Sequence, residues 1–130
     1  MTLNSFMPVK LITGAGCVRA SAKELASLGR ACLIVTGKKS AKVCGAFQDV
    51  TETLDRNGQK WLLFDGIGQN PKLTDCMAAA EQAIAAGADF ILGIGGGSAL
   101  DAAKCIAVLA ANPGLTQAQL YAFDWAKEEV

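Results

Sequence analysis

A chain of 130 residues that is 52% hydrophobic, with twelve basic residues balancing twelve acidic ones, suits one globular domain and lacks the basic stripe that a phosphodiester backbone demands. No stretch approaches the roughly 20 apolar residues needed to span a bilayer, and Met1 to Lys10 lack the basic-then-apolar pattern of a leader, so a cytoplasmic protein with no membrane or nucleic-acid partner is expected. The chain has no histidine, which excludes Ser-His-Asp triads, imidazole zinc ligands and histidine acid–base chemistry together.

In chain order, short apolar runs alternate with stretches of helical period. Val9 to Ile12 is a weak strand candidate ahead of Gly14. The segment Gly14-Ala15-Gly16-Cys17-Val18-Arg19 opens like GxGxxG, but Arg19 stands in place of the third glycine, which reduces it to a turn. Val18 to Leu28 predicts a helix with Val18, Ala22, Leu25 and Leu28 on one face, stopped by Gly29. Ala31 to Thr36 reads as a strand that is apolar on both faces and ends at Gly37. Gly37-Lys38-Lys39-Ser40 lacks the spacing of a P-loop.

Ala46 to Arg56 predicts a helix with Phe47, Val50 and Leu54 inward, and Trp61 to Phe64 a further strand. Leu73 to Ala86 predicts a third helix with Leu73, Met77, Ala80 and Ile84 on one side. Phe90 to Ile94 is the next strand, and Ala99 to Ala111 the fourth helix, stopped at Asn112-Pro113. The order β-α-β-α-β-α-β-α predicts a right-handed, Rossmann-like parallel α/β sheet with helices on both faces. Thr116 to Glu129 has helical period with no strand after it. Residues 1–114 are therefore expected to form the α/β domain and 115–130 a helical tail. Cys17, Cys32, Cys44, Cys76 and Cys105 contain no CxxC pair and are odd in number, which predicts reduced, mostly buried thiols.

Gly93-Ile94-Gly95-Gly96-Gly97-Ser98 sits where the last strand meets its helix. Glycines there let the backbone approach a phosphate, and the first helical N–H groups and the helix dipole favour an anion. In open α/β sheets this is the end of the strands at which ligands bind. Two structural readings compete. The glycines could serve only tight strand-to-helix packing, and Ser98 to Asp101 fits a capping box. Asp101 and Lys104 could likewise form a surface ion pair worth about 0.2–0.5 kcal/mol.

Gly95-Gly96-Gly97-Ser98-Ala99-Leu100-Asp101-Ala102-Ala103-Lys104 resembles the GGGSxxDxxK signature of the iron-containing (group III) alcohol dehydrogenases. Gly14-Ala15-Gly16, Leu33 to Gly37, Asn70-Pro71 and Asn112-Pro113-Gly114 agree in context. The resemblance covers nearly the whole chain and implies the N-terminal domain of a two-domain dehydrogenase. It implies that Gly95, Gly96, Gly97 and Ser98 hold the cofactor's pyrophosphate, that Asp101 and Asn70 lie near the nicotinamide, and that Gly37 lies beside the adenosine ribose. It places a divalent metal, iron or zinc, in a C-terminal domain outside these residues, so no catalytic residue is expected here and the chain alone is expected to be inactive.

The full-length enzyme would act on a small alcohol or aldehyde. With no carboxylate at Gly37 and with Lys38 and Lys39 beside it, NADP is favoured over NAD. An apolar seam including Leu120, Phe123 or Trp125 predicts self-association into a homo-oligomer. A glycerol dehydrogenase or dehydroquinate synthase relative, and a non-catalytic flavodoxin-like nucleotide module, are the alternative readings.

Overall fold

The structure is a computed structural model that describes residues 12–37, 45–68 and 72–112. Two short helices, α1 (Cys17–Ala20) and α2 (Ala22–Leu28), precede strand β1 (Ala31–Gly37). Helix α3 (Ala46–Arg56), strand β2 (Lys60–Ile67), helix α4 (Leu73–Ala85), strand β3 (Phe90–Ile94) and helix α5 (Gly97–Ala111) follow. Among the described residues the strands form one parallel sheet in the order β2-β1-β3. The expected first strand lies outside the described residues except for Ile12, which is exposed.

Strand β1 occupies the centre because its side chains are apolar in both directions, so both faces can be covered by helices. Cys32 and Ile34 join Val50 and Leu54 of α3 in one core cluster, with Val18 and Phe47 against it. Leu33 and Val35 project to the other face and join Ala79 and Ala83 of α4 and Ile106 of α5. Helices therefore cover both faces, as the pattern predicts. The register runs Ala31 opposite Lys60 to Val35 opposite Phe64, then shifts so that Gly37 faces Ile67.

The helix expected over Val18 to Leu28 is broken at Ser21, whose N–H donates to both Cys17 O at 3.0 Å and Val18 O at 3.1 Å. Serine's competing local hydrogen bonding makes it a poor residue for a helix interior. Leu28, expected on the inner face, is exposed. In α4 the buried residues are Cys76, Ala79, Ala80 and Ala83, while Ile84 points to solvent. That inner face is rotated from the expected one because α4 packs against α5 through small side chains.

Gln59 ties α2 to the sheet. Its buried side-chain Nε2 donates to Leu25 O at 2.8 Å and Gly29 O at 2.7 Å, and its Oε1 accepts from Asn57 Nδ2 at 3.0 Å. Two carbonyls at the end of α2 are thereby satisfied without water. Gln59→Leu is expected to lower stability by about 2 kcal/mol, since the carbonyls lose their donors in a buried setting. Urea unfolding of the variant checks this, and an unchanged midpoint would show that the amide contributes nothing.

Candidate functional site

The strand order creates the geometry. From β1 the chain passes through α3 on one face to β2, then crosses back through α4 on the opposite face to β3. The winding therefore reverses between β1 and β3, and a crevice opens at the carboxyl ends of strands where such a reversal occurs. Thr36 pairs with Ile94 across β1 and β3, so Gly37, the last residue of β1, and Gly95, the first after β3, follow that pair on neighbouring paths. Neighbouring strands stand about 4.8 Å apart. Gly37 and the glycine-rich turn thus border one crevice.

Within the turn, Gly95 has φ 140°, a value that a side chain would strain. Gly96 follows in extended conformation as the residue that caps α5, and α5 begins at Gly97. The first intrahelical bond to the cap runs from Leu100 N to Gly96 O at 3.1 Å. The amides of Gly97 and Ser98 precede it and belong to the helix end at which the dipole is positive. No acidic residue stands in the first turn, and no side chain caps it. A Cβ placed on Gly96 or Gly97 would meet no atom within 4 Å, so the backbone there borders open space of the kind a pyrophosphate needs.

The capping box read from Ser98 to Asp101 does not form. Helix α5 starts two residues earlier than Ala99, which puts Ser98 inside the first turn and leaves Asp101 one turn further along, exposed. Among the described residues the ion pairs join Arg19 to Asp49 and Glu52 across α1 and α3, and Asp101 and Lys104 do not pair with each other. Of the residues singled out by sequence, Gly95, Gly96, Gly97 and Ser98 form the turn and the first residues of α5, Gly37 ends the neighbouring strand, and Asp101 lies one turn along α5. Lys38, Lys39 and Asn70 lie outside the described residues.

Sequence reasoning gave Thr36 no role and did not set Gly93 apart from the other glycines of the stretch. Thr36 is fully buried near the carboxyl end of β1, where its hydroxyl donates to Gly37 O at 2.9 Å and fixes the carbonyl at the strand end. A polar residue closing an otherwise apolar strand was the available clue. Gly93 allows α5 to lie close against β3: a Cβ there would fall 2.8 Å from the Ala103 Cβ. One glycine of this stretch therefore serves packing, as the competing reading held, while Gly96 and Gly97 face open space.

A cleft of about 480 Å³ lies at the opposite edge, lined by Cys32, Asp55, Gln59, Lys60 and Trp61 among others. It sits at the amino ends of β1 and β2, away from the strand ends that bind ligands in such sheets. Two of its polar side chains are already engaged: Trp61 Nε1 donates to Asp55 at 3.0 Å, and Gln59 Nε2 donates to carbonyls of α2 and Gly29. Trp61 also stands edge-on to Phe47, ring centres 5.7 Å apart. The cleft has a volume, but the turn has the chemistry that an anion needs.

These features define a doubly wound α/β module with a glycine-rich strand-to-helix turn at its switch point. The chain belongs to the iron-containing alcohol dehydrogenase family, whose model matches residues 8–129. It is 36% identical over 106 residues to a sulfoacetaldehyde reductase of Bilophila wadsworthia, covering 81% of this chain and 27% of that protein. An iron-containing alcohol dehydrogenase of Thermotoga maritima superposes with a TM-score of 0.83 at 34% identity, over 89% of this chain and 32% of that one. NADH-dependent butanol dehydrogenase A of the same organism gives 0.80 at 31% identity, over 87% and 29%. The chain thus spans about a quarter to a third of the length of these relatives.

Proposed function

We propose that this chain is the dinucleotide-binding portion of a metal-dependent alcohol dehydrogenase, with residues 1–114 as the binding domain and 115–130 leading towards the remainder. The observation that carries the proposal is the turn itself. Gly96 and Gly97 border open space at the amino end of α5, beside Gly37 at the switch point. Backbone N–H groups of Gly97 and Ser98 donate to the pyrophosphate, and the missing Cβ atoms let it come within hydrogen-bonding distance. The family resemblance assigns Asp101 and Asn70 to the nicotinamide half and Gly37 to the adenosine ribose. When bound, the nicotinamide supplies the hydride exchanged with an alcohol carbon; this chain's residues supply position.

The residues present do not fit the family's metal. The chain has no histidine, and no group of three or more potential ligands exists among the described residues. No catalytic step is therefore assigned to this chain, and the 130 residues alone are expected to bind dinucleotide without oxidising alcohols whatever metal is added. The names of the relatives support a small alcohol or aldehyde as substrate of the complete enzyme. Among the described residues no helix is long and apolar enough to cross a membrane. Self-association is proposed as well. The residues expected to drive it, Leu120, Phe123 and Trp125, lie outside the described ones, and light scattering tests it.

For the choice of cofactor, the chain's own residues and its relatives point differently. Gly37 carries no carboxylate to repel a 2′-phosphate, which favours NADP, whereas the butanol dehydrogenase is named for NADH. We follow the local chemistry, because one carboxylate at about 5 Å is worth roughly 3 kcal/mol per unit charge against that phosphate at an effective dielectric near 20. Calorimetric titration of the chain with NADP⁺ and NAD⁺ tests both proposals at once. Binding of neither overturns the dinucleotide reading. Tighter binding of NAD⁺ overturns only the preference. Gly37→Asp is expected to shift the ratio of the two dissociation constants towards NAD⁺ tenfold or more, about 1.4 kcal/mol.

A further inference from the structure

The two helices behind the glycine-rich turn share a pair of thiols. Cys76 on α4 is buried at 2% exposure within the cluster that holds Ala79, Ala80, Ala83, Ala102 and Ala103, and Cys105 on α5 packs against the same cluster. The two thiols meet in that one cluster, near enough for Cys105 to act on the Cys76 thiol. Small residues on both facing surfaces suit close packing of the two helices, which a short link between side chains needs. We propose that Cys76 and Cys105 form a reversible dithiol–disulfide site, oxidised by a hydroperoxide, that fastens α5 and its turn to α4.

The pair is asymmetric in a way that orders the chemistry. Cys105 is partly exposed, whereas Cys76 is buried. Burial, and then the neighbouring Cys105, push the Cys76 thiol up to about 12, so it stays protonated at neutral pH. The Cys105 thiolate attacks one oxygen of hydrogen peroxide; the O–O bond breaks, a sulfenic acid forms on Cys105 and the other oxygen leaves as water after protonation. Cys76 then passes its proton to the departing oxygen as its sulfur, now thiolate in character, attacks the sulfenic sulfur: the S–S bond forms, the S–O bond breaks, and a second water leaves. Two thiols lose two electrons and one peroxide gains them.

The pairing is selective because Cys32 sits in the cluster on the other face of the sheet. That thiol is also pushed up, to about 11, by burial. The site does not depend on the nucleotide reading.

Brief treatment of the folded 130-residue chain with hydrogen peroxide, followed by alkylation, digestion and mass spectrometry, tests the proposal. A linked peptide pair containing Cys76 and Cys105 is expected, with mass lower by about 2 Da and the link removed by dithiothreitol. Thiols titrated after denaturation should fall from five to three. Cys105→Ser, at a partly exposed position, should abolish the link and leave the remaining thiols unoxidised on the same timescale; Cys76→Ala should instead leave Cys105 to oxidise alone. Recovery of sulfinic Cys105 with no link in the unsubstituted chain, a link through Cys32, or a link formed only in urea would each overturn it.

Discussion

Gly96→Val is expected to weaken dinucleotide binding at least about a hundredfold, roughly 2.8 kcal/mol, while leaving the fold in place. Both halves of this expectation follow from the same geometry. Gly96 has φ −83° and ψ −164°, a conformation that valine adopts readily, and a Cβ there meets nothing within 4 Å. The fold therefore loses only the difference between glycine and valine as a helix cap, about 1 kcal/mol. The open space, however, is where the pyrophosphate must come against the backbone. A branched side chain fills it and holds the phosphate away from the amides of Gly97 and Ser98. Calorimetry with the cofactor, alongside urea unfolding, reads both effects. Unchanged affinity in a folded variant rules out the turn as the phosphate site.

Gly93→Val should do the reverse and cost the chain at least about 3 kcal/mol of stability, out of the roughly 5–15 kcal/mol that holds a domain folded. Its added Cβ would lie 2.8 Å from the Ala103 Cβ and 3.4 Å from Leu100 Cδ2, with Ala99 O at 3.7 Å. Ala103 has no rotamer by which to withdraw, so relief must come from moving α5 off β3. Ala103→Gly in the Gly93→Ala background should recover part of the loss, because it removes the clashing atom. A Gly93→Val midpoint equal to that of the unsubstituted chain would mean that strand and helix are not in close contact here. Only Ile94 and Gly95 separate Gly93 from Gly96, yet one position is expected to govern stability and the other binding.

That division was not legible in the sequence, where the glycines of this stretch look alike. The strands were legible: Ala31 to Thr36 and Phe90 to Ile94 are apolar on both faces, a pattern that a buried parallel strand requires, and the structure puts β1 and β3 there. Alternation of such strands with helices, stopped at Leu28-Gly29, Asn57-Gly58 and Gly87, gave the class of fold. The position of the glycine-rich turn after a strand then marked the candidate site.

Helix faces were less legible. Choosing the larger apolar residues put Ile84 and Leu28 inside, yet α4 buries Cys76, Ala79, Ala80 and Ala83. Hydrophobic period counts residues by transfer energy, whereas a close helix pair selects by size, and only the partner helix reveals that. Capping failed for a related reason. Ser98 and Asp101 fit a capping box by spacing, but Gly95 and Gly96 turn the chain early, and α5 starts at Gly97. The role of Thr36 emerged only with the register that sets it opposite Ile94.

The central claim is that the turn from β3 into α5 holds the pyrophosphate of a nicotinamide dinucleotide, and the most direct measurement is a titration of the isotope-labelled chain with NADP⁺ followed through backbone amide chemical shifts. The largest movements should fall on the amides of Gly96, Gly97 and Ser98, with a second group at Thr36 and Gly37, and ADP should reproduce the shifts at the turn. Movements confined to Cys32, Lys60 and Trp61, around the cleft at the opposite edge of the sheet, or no movement at the turn at saturating cofactor, would contradict it.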